Sequence, residues 1–316
     1  MATITRYVNT GSSGGNGTTS ALTGDNAAYA SLNAWEAAED GIDHAGDDMV
    51  VNCAGATDDG AGTCVIDSGW TADSISIIGD ADGVWDDSHY TMGVGNWQYI
   101  LIQHSDVSIA NIQYNQGVNN ANYINFTGDY DGGELKNCIL KSDSSTSYLV
   151  RIVNGSVAVS NTIFYGSNGE GILLSYPGIS SISNCTFYDC DYGIYMGGGT
   201  STNITAKNNV AIDCLTADFS LESANVDHNC SSDTSATGTG SLTEKTAANN
   251  FTSVTAGSED FSVKDTDADI YNAGTTISGV TTDAAGTSRP QATTYDIGAF
   301  EFEVTITNTG GLLTIW

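Results

Sequence analysis

Six short segments open with Asn and run into a strand-like stretch: Asn111-Ile-Gln-Tyr, Asn137-Cys-Ile-Leu, Asn161-Thr-Ile-Phe, Asn184-Cys-Thr-Phe, Asn208-Asn-Val-Ala and Asn229-Cys-Ser-Ser. Successive starts lie 26, 24, 23, 24 and 21 residues apart. A near-constant period of this length marks a solenoid, in which each repeat buries its apolar face only against its neighbours. Each interval holds a second short apolar run, such as Tyr148-Leu-Val-Arg-Ile-Val or Gly171-Ile-Leu-Leu, and no helical pattern. Strands joined by polar corners therefore predict an all-β chain, a parallel β-helix. At a corner, Asn bonds its own backbone and stacks on the Asn of the next coil. The recurring Asn thus reads as structural rather than catalytic.

The predicted organisation has three parts. Residues 1–45 hold a strand, a Gly/Ser/Thr-rich loop and a helix over Tyr29–Glu39. Tyr29, Leu32, Trp35 and Ala38 share one face of that helix, and Ser31 or Asn26 is a candidate cap. An open first coil would pair with other chains, so the helix is expected as its lid. Residues 46–303 form the solenoid and its closing segment, with the regular coils over about 98–235 and an irregular stretch over 231–260. Residues 304–316 read as a β tail: strand, Asn-Thr-Gly-Gly turn, and a strand ending on Trp316. Such strands need a partner, either the solenoid itself or another subunit.

Asp and Glu number 38 against 8 Lys and Arg, a net charge of −30. Only 9 of the acids are Glu, so 29 are Asp, a turn former as well as a charge. Such a field repels nucleic acid and anionic membranes. Solubility of a long, edge-rich molecule, calcium binding by Asp clusters, and adaptation to salt are three readings of the surplus. No stretch is long and apolar enough for a transmembrane helix. The start, Met1-Ala-Thr-Ile-Thr-Arg-Tyr-Val, has no apolar signal region, so cytoplasmic synthesis is expected.

Seven cysteines include no metal-type CxxC pair. Cys53 and Cys64 flank a Gly-rich segment and could close a small loop. Cys190 and Cys214 are one coil apart and should stack on adjacent rungs, as buried thiols in preference to a disulfide.

The candidate catalytic pair is Asp189 and Asp213, one coil apart, with Asp191 and Asp218 nearby. Glycosidases use two carboxyls about 5 to 10 Å apart as acid and base, and Tyr192 could stack on a sugar ring. The competing reading is that these Asp residues form turns. Stacked carboxylates repel, which a shared proton or a calcium ion near Asp189 and Asp213 would relieve. A lyase would need clustered cations. Lys136 and Arg151 could approach one another, but the coils hold only these with Lys141 and Lys207. His44, His89, His104 and His228 show no metal-ligand spacing. Trp70, Trp85 and Trp97, with Tyr90 and Tyr99, suit either core packing or an exposed glycan or protein surface.

Near the C-terminus the chain reads Asp269-Ile-Tyr-Asn-Ala273-Gly274, then Asp283…Gly286…Arg289-Pro290, then Asp296-Ile297-Gly298-Ala299-Phe-Glu301. This resembles the closing signature of bacterial and phage right-handed parallel β-helix proteins, although the usual Ser-Pro-Ala-Ile-Asp-Ala-Gly is here Asp267-Ala-Asp-Ile-Tyr-Asn-Ala-Gly, without the Pro. The opening Arg6-Tyr-Val-Asn-Thr and Tyr29-Ala-Ser-Leu-Asn-Ala-Trp-Glu are similar to β-helix proteins encoded among virion genes of tailed phages. The resemblance implies a right-handed helix and a structural role for the closing segment. With the missing signal, the absent catalytic cluster, the acidic surface and the apolar tail, the reading expected is a non-enzymatic virion structural protein, a capsid decoration or tail-associated component at the virion surface. Its partners would be other virion proteins or itself, as a homotrimer. The alternatives are an extracellular glycan-active enzyme, such as a tailspike-like hydrolase or polysaccharidase, and a glycan-binding adhesin, because this scaffold hosts many functions.

Overall fold

The computed structural model describes residues 2–58, 62–93, 99–116, 124–142, 148–166, 168–221, 225–304, 306–309 and 312–315. Trp97 and Trp316 lie outside them. Three parallel sheets run the length of a β-helix of about seven turns. The chain visits them in rotation. One turn passes from Tyr99–Ile102 in a seven-stranded sheet to Val107–Ala110 in a nine-stranded sheet. It then reaches Gln113–Gln116 in an eight-stranded sheet and returns to the first at Ile124–Thr127.

Parallel pairing keeps the strands in register from turn to turn while the corners absorb differences in length, so like side chains stack. On the nine-stranded sheet, Val51, Ile77, Ile109, Leu135, Val159, Ile182 and Ala206 form one inward column. On the eight-stranded sheet, Phe164 and Phe187 stack with ring centroids 4.7 Å apart. A fully buried aliphatic or Phe side chain contributes roughly 1.5–3 kcal/mol, so these columns are the main favourable term in the fold.

The recurring Asn makes the corner between the nine- and eight-stranded sheets. Asn111, Asn137, Asn161, Asn184 and Asn208 have φ of 54°, 53°, 48°, 51° and 57°. Most L-residues resist this left-handed region, and Asn tolerates it. The sixth motif is shifted by one. Lys207 pairs with Asp227 and Val210 with Cys230, so His228 (φ 49°) opposes Asn208 and turns the last corner. Asn229 instead continues the column of Asn209, whose Nδ2 donates to its Oδ1 at 3.0 Å.

The N-terminal helix is shorter than the sequence pattern predicts. It spans Leu32–Glu39, because Ser31 caps it through a 3.1 Å bond from Ala34 N to its Oγ. Tyr29 instead bridges Val8 in parallel. Leu32 and Trp35 are fully buried over the first turns, with Trp35 against Trp70 at 4.9 Å. Ala38 is exposed, and Glu39 occupies the buried stripe beside Arg6, Tyr29 and His44. The strand Thr3–Asn9 pairs with Asp48–Ala54 and begins the nine-stranded sheet. Cys53 and Cys64 are both buried free thiols.

Residues 231–260 carry more order than their composition predicts. A short helix, Ala247–Asn250, leads into an antiparallel hairpin, Phe251–Thr255 with Ser258–Val263. This hairpin and the closing segment cover the outer face of the eight-stranded sheet. Ile139, Ile163, Tyr165, Val210 and Ile212 of that face form a second core with Phe251, Phe261, Ile270, Ile297 and Phe300. The signature residues hold the cover in place. Arg289 forms a buried ion pair with Glu301 at 2.6 Å. Asp283 accepts from Ala285 N, Thr287 N and Glu301 N at 2.7–2.9 Å. Gly298 has φ 104°, and a Cβ there would sit 2.8 Å from Val210 Cγ1.

Beyond the closing segment, Ile306–Thr309 and Leu312–Ile315 form an antiparallel two-stranded sheet of their own.

Candidate functional site

Asp189 and Asp213 lie at the corner where the chain leaves the eight-stranded sheet. Tyr188 pairs with Ile212, so the two Asp residues occupy one position on consecutive rungs, about 4.8 Å apart along the axis. Their φ angles are 50° and 60°, and Gly166 holds the same corner one rung earlier at 67°. The sequence therefore uses Asp here as it uses Asn at the other corner, to turn the backbone left-handed. Both residues reach solvent, with the Asp189 carboxyl partly covered. Partial burial and then the charge of Asp213 hold the Asp189 carboxyl above the usual range.

The covering hairpin adds residues that sequence reasoning did not bring to this corner. Tyr188 lies 5.5 Å from Phe261, ring to ring, and Tyr165 lies 5.2 Å from it. Burial, followed by the charges of Asp213, Asp189 and Glu259, raises the Tyr188 hydroxyl. Beside them, Trp85, Ile139, Ile163, Tyr165, Glu259 and Phe261 line a cleft of about 10 Å³. That is enclosed room for about one water molecule. Lys141 Nζ sits 3.6 Å over the Trp85 ring. No repeat signal marks Trp85, Glu259 or Phe261, because they belong to a loop and a hairpin outside the periodic strands.

Asp191 and Asp218 point elsewhere. Asp191 accepts from Thr216 Oγ1. Asp218 is almost fully buried and accepts from Cys214 N (3.1 Å), Ser232 Oγ (2.7 Å), Ser232 N and Asp233 N (3.2 Å). Burial raises its carboxyl, against the pull of these donors. Its place is to bind the loop after Cys230 to the rung before it.

Lys136 and Arg151 are not brought together. Lys136 pairs with Glu134 at 2.7 Å on the nine-stranded sheet, while Arg151 lies on the seven-stranded sheet, 5.7 Å from the Tyr148 ring. The four histidines are dispersed: His44 on Glu39, His104 on Ser105 O, His228 on Asp227, and His89 in the loop after Trp85. Among the described residues, no three His, Cys, Asp or Glu side chains are grouped to hold a metal ion. Nor is any described helix long and apolar enough to cross a membrane. Trp70 and Tyr90 are core residues, the latter donating to Asp58 at 2.6 Å. Trp85 and Tyr99 are half-buried. In one strand of the seven-stranded sheet, the half-buried Tyr192 and Tyr195 stack at 4.6 Å.

No family model matches the chain, and no curated protein matches it.

Proposed function

We propose that the chain is a non-enzymatic structural protein of a phage particle, a capsid decoration or tail-associated component. The observation that carries this reading is the use made of the candidate carboxylates. Asp189 and Asp213 form left-handed corners, and Asp218 is consumed by four backbone and hydroxyl donors. The resemblance of the chain's opening to β-helix proteins encoded among virion genes of tailed phages supports the particle assignment. The separate C-terminal hairpin supplies an element for attachment to other virion proteins or to two further copies of this chain. Two-stranded hairpins are marginal alone in water and gain stability from a partner. Mass spectrometry of purified particles, with the rod located in reconstructed density, tests the assignment. Particles that lack the chain would overturn it.

A second reading, a glycan-active enzyme or adhesin, draws on the raised Asp189 carboxyl beside Asp213 and on the half-buried Tyr192–Tyr195 stack. New reducing ends from a glycan panel, lost in Asp189→Asn or Asp213→Asn, would favour the enzyme. Array binding without product would favour the adhesin.

A further inference from the structure

Cys190 and Cys214 follow the two corner Asp residues and occupy equivalent positions on consecutive rungs. The rungs are joined at this point, since Leu215 N donates to Cys190 O at 2.8 Å. Neighbouring chains in such register stand about 4.8 Å apart, within the roughly 4.4–6.8 Å between Cα atoms that a disulfide spans. Cys190 belongs to the main core cluster, and Cys214 packs against that cluster. Cys190 is fully buried and Cys214 is half-buried, so the pair is reached from the Cys214 side. The other cysteines are differently placed. Cys138 and Cys185 share a corner column but have Thr162 between them. Cys53 and Cys64 belong to different sheets, and Cys230 packs under the closing segment.

We propose that Cys190 and Cys214 are an oxidisable pair that closes into an intrachain disulfide, stapling two rungs of the helix at the Asp189–Asp213 corner. The oxidant is a small-molecule disulfide. The Cys214 thiolate attacks one sulfur of the reagent and expels the other as a thiolate. The Cys190 thiolate then attacks the Cys214 sulfur of the mixed disulfide and expels the second reagent thiolate. One S–S bond breaks and one forms. Two cysteine thiols are oxidised, the reagent is reduced to two thiols, and the cysteine protons pass to them.

The surroundings set the pace. The contact with Cys190, then burial and the charge of Asp218, holds the Cys214 thiol well above its usual value. Thiolate is the attacking species, so closure is slow at neutral pH and quickens as pH rises. The bridge closes one whole rung, which restricts the unfolded chain and favours the folded one. This inference goes beyond the structural role proposed above and does not depend on it.

The native full chain is incubated with oxidised glutathione under mildly alkaline conditions, then alkylated, digested and mapped. The expected product is a Cys190–Cys214 linked peptide that dithiothreitol reverses, with a thermal midpoint several degrees above the reduced chain. Cys190→Ser should stop at a stable glutathione adduct on Cys214. Should that variant misfold, the wild-type map decides. A persistent adduct on Cys214 in the wild-type chain, or a linkage joining any other pair, would overturn the proposal, as would a Cys214 that never reacts.

Discussion

The side-chain amide of Asn208 donates to Oδ1 of Asn184, one rung earlier, at 3.0 Å. The same Nδ2 donates to Thr275 O at 2.6 Å, and Asn208 Oδ1 accepts from Thr275 N at 2.8 Å. One residue therefore turns the corner, links two rungs and anchors the closing segment. Two substitutions separate these roles. Asn208→Gly keeps the left-handed corner and loses the bonds, for an expected cost of about 2 kcal/mol. Asn208→Ala loses the bonds and adds left-handed strain, about 1 kcal/mol more. Denaturant unfolding of both variants checks the order, and equal stabilities would remove backbone strain from the account.

Gly298 of the closing segment packs tightly on the solenoid, its N–H donating to Asn208 O at 2.7 Å. Ala at this position brings a Cβ within 2.8 Å of Val210 Cγ1 at a φ of 104°. The expected loss is about 2 kcal/mol or more, from steric conflict and strain together. It should appear locally. Limited proteolysis of Gly298→Ala is expected to cut between residues 264 and 303 while the turns before residue 231 remain protected. A cleavage pattern like that of the wild-type chain would contradict the close packing described here.

The carboxylates at the candidate corner should respond unequally. Asp213→Asn keeps a residue that tolerates the left-handed region and removes an exposed charge, so stability should change by no more than about 0.5 kcal/mol. Asp218→Asn puts an amide where buried N–H groups require an acceptor, and should cost about 2 kcal/mol. Thermal melts of the two variants measured side by side test the contrast. An Asp218→Asn chain as stable as Asp213→Asn would mean that the loop after Cys230 is held by other groups.

How far the sequence foretold these roles depends on whether a residue repeats. The Asn corners were readable because a left-handed bend recurs once per turn and Asn satisfies it each time. Position 228 escaped, since the last turn shortens to 20 residues from Asn208 and His takes the corner. The hairpin carrying Glu259 and Phe261 has no period. Its place against Tyr165 and Tyr188 follows from lateral burial between segments far apart in sequence, which local pattern does not encode. Asp189 and Asp213 were visible as a stacked pair. Their backbone angles, which make turn formation sufficient reason for Asp, were not. Asp218 looked similar in sequence, and only its burial distinguishes it.

The cap helix carries a pH signature. Glu36 is half-buried, and burial, then Asp40 and Asp67, push its carboxyl up to about 7. In the unfolded chain it ionises near the ordinary value of about 4.3. Between these values the folded chain holds the proton more tightly, so stability falls as pH rises through that window and levels off above the folded value. Glu36→Gln removes the titration. The variant should match the wild type below pH of about 4 and exceed it by about 1 kcal/mol above pH of about 7, once solvent screening is allowed for. Urea unfolding at both pH values measures it, and a constant difference between variant and wild type would exclude the linkage.

The last prediction concerns the tail. Ile306–Thr309 and Leu312–Ile315 pair with each other and belong to none of the three solenoid sheets. An isolated hairpin is marginal in water and leaves backbone donors and acceptors open on its edges. The net charge of −30 disfavours association through the acidic body of the rod, which leaves the uncharged tail strands as the better contact. If copies of the chain join through the tail, as proposed above, removal of residues 304–316 leaves a monomer without lowering the unfolding midpoint of the solenoid. The core columns and the Arg289–Glu301 pair lie wholly before the cut. Sedimentation equilibrium of the two chains gives the answer. An oligomer of unchanged mass after truncation would take the tail out of the interface and leave the sheet flanks to supply it.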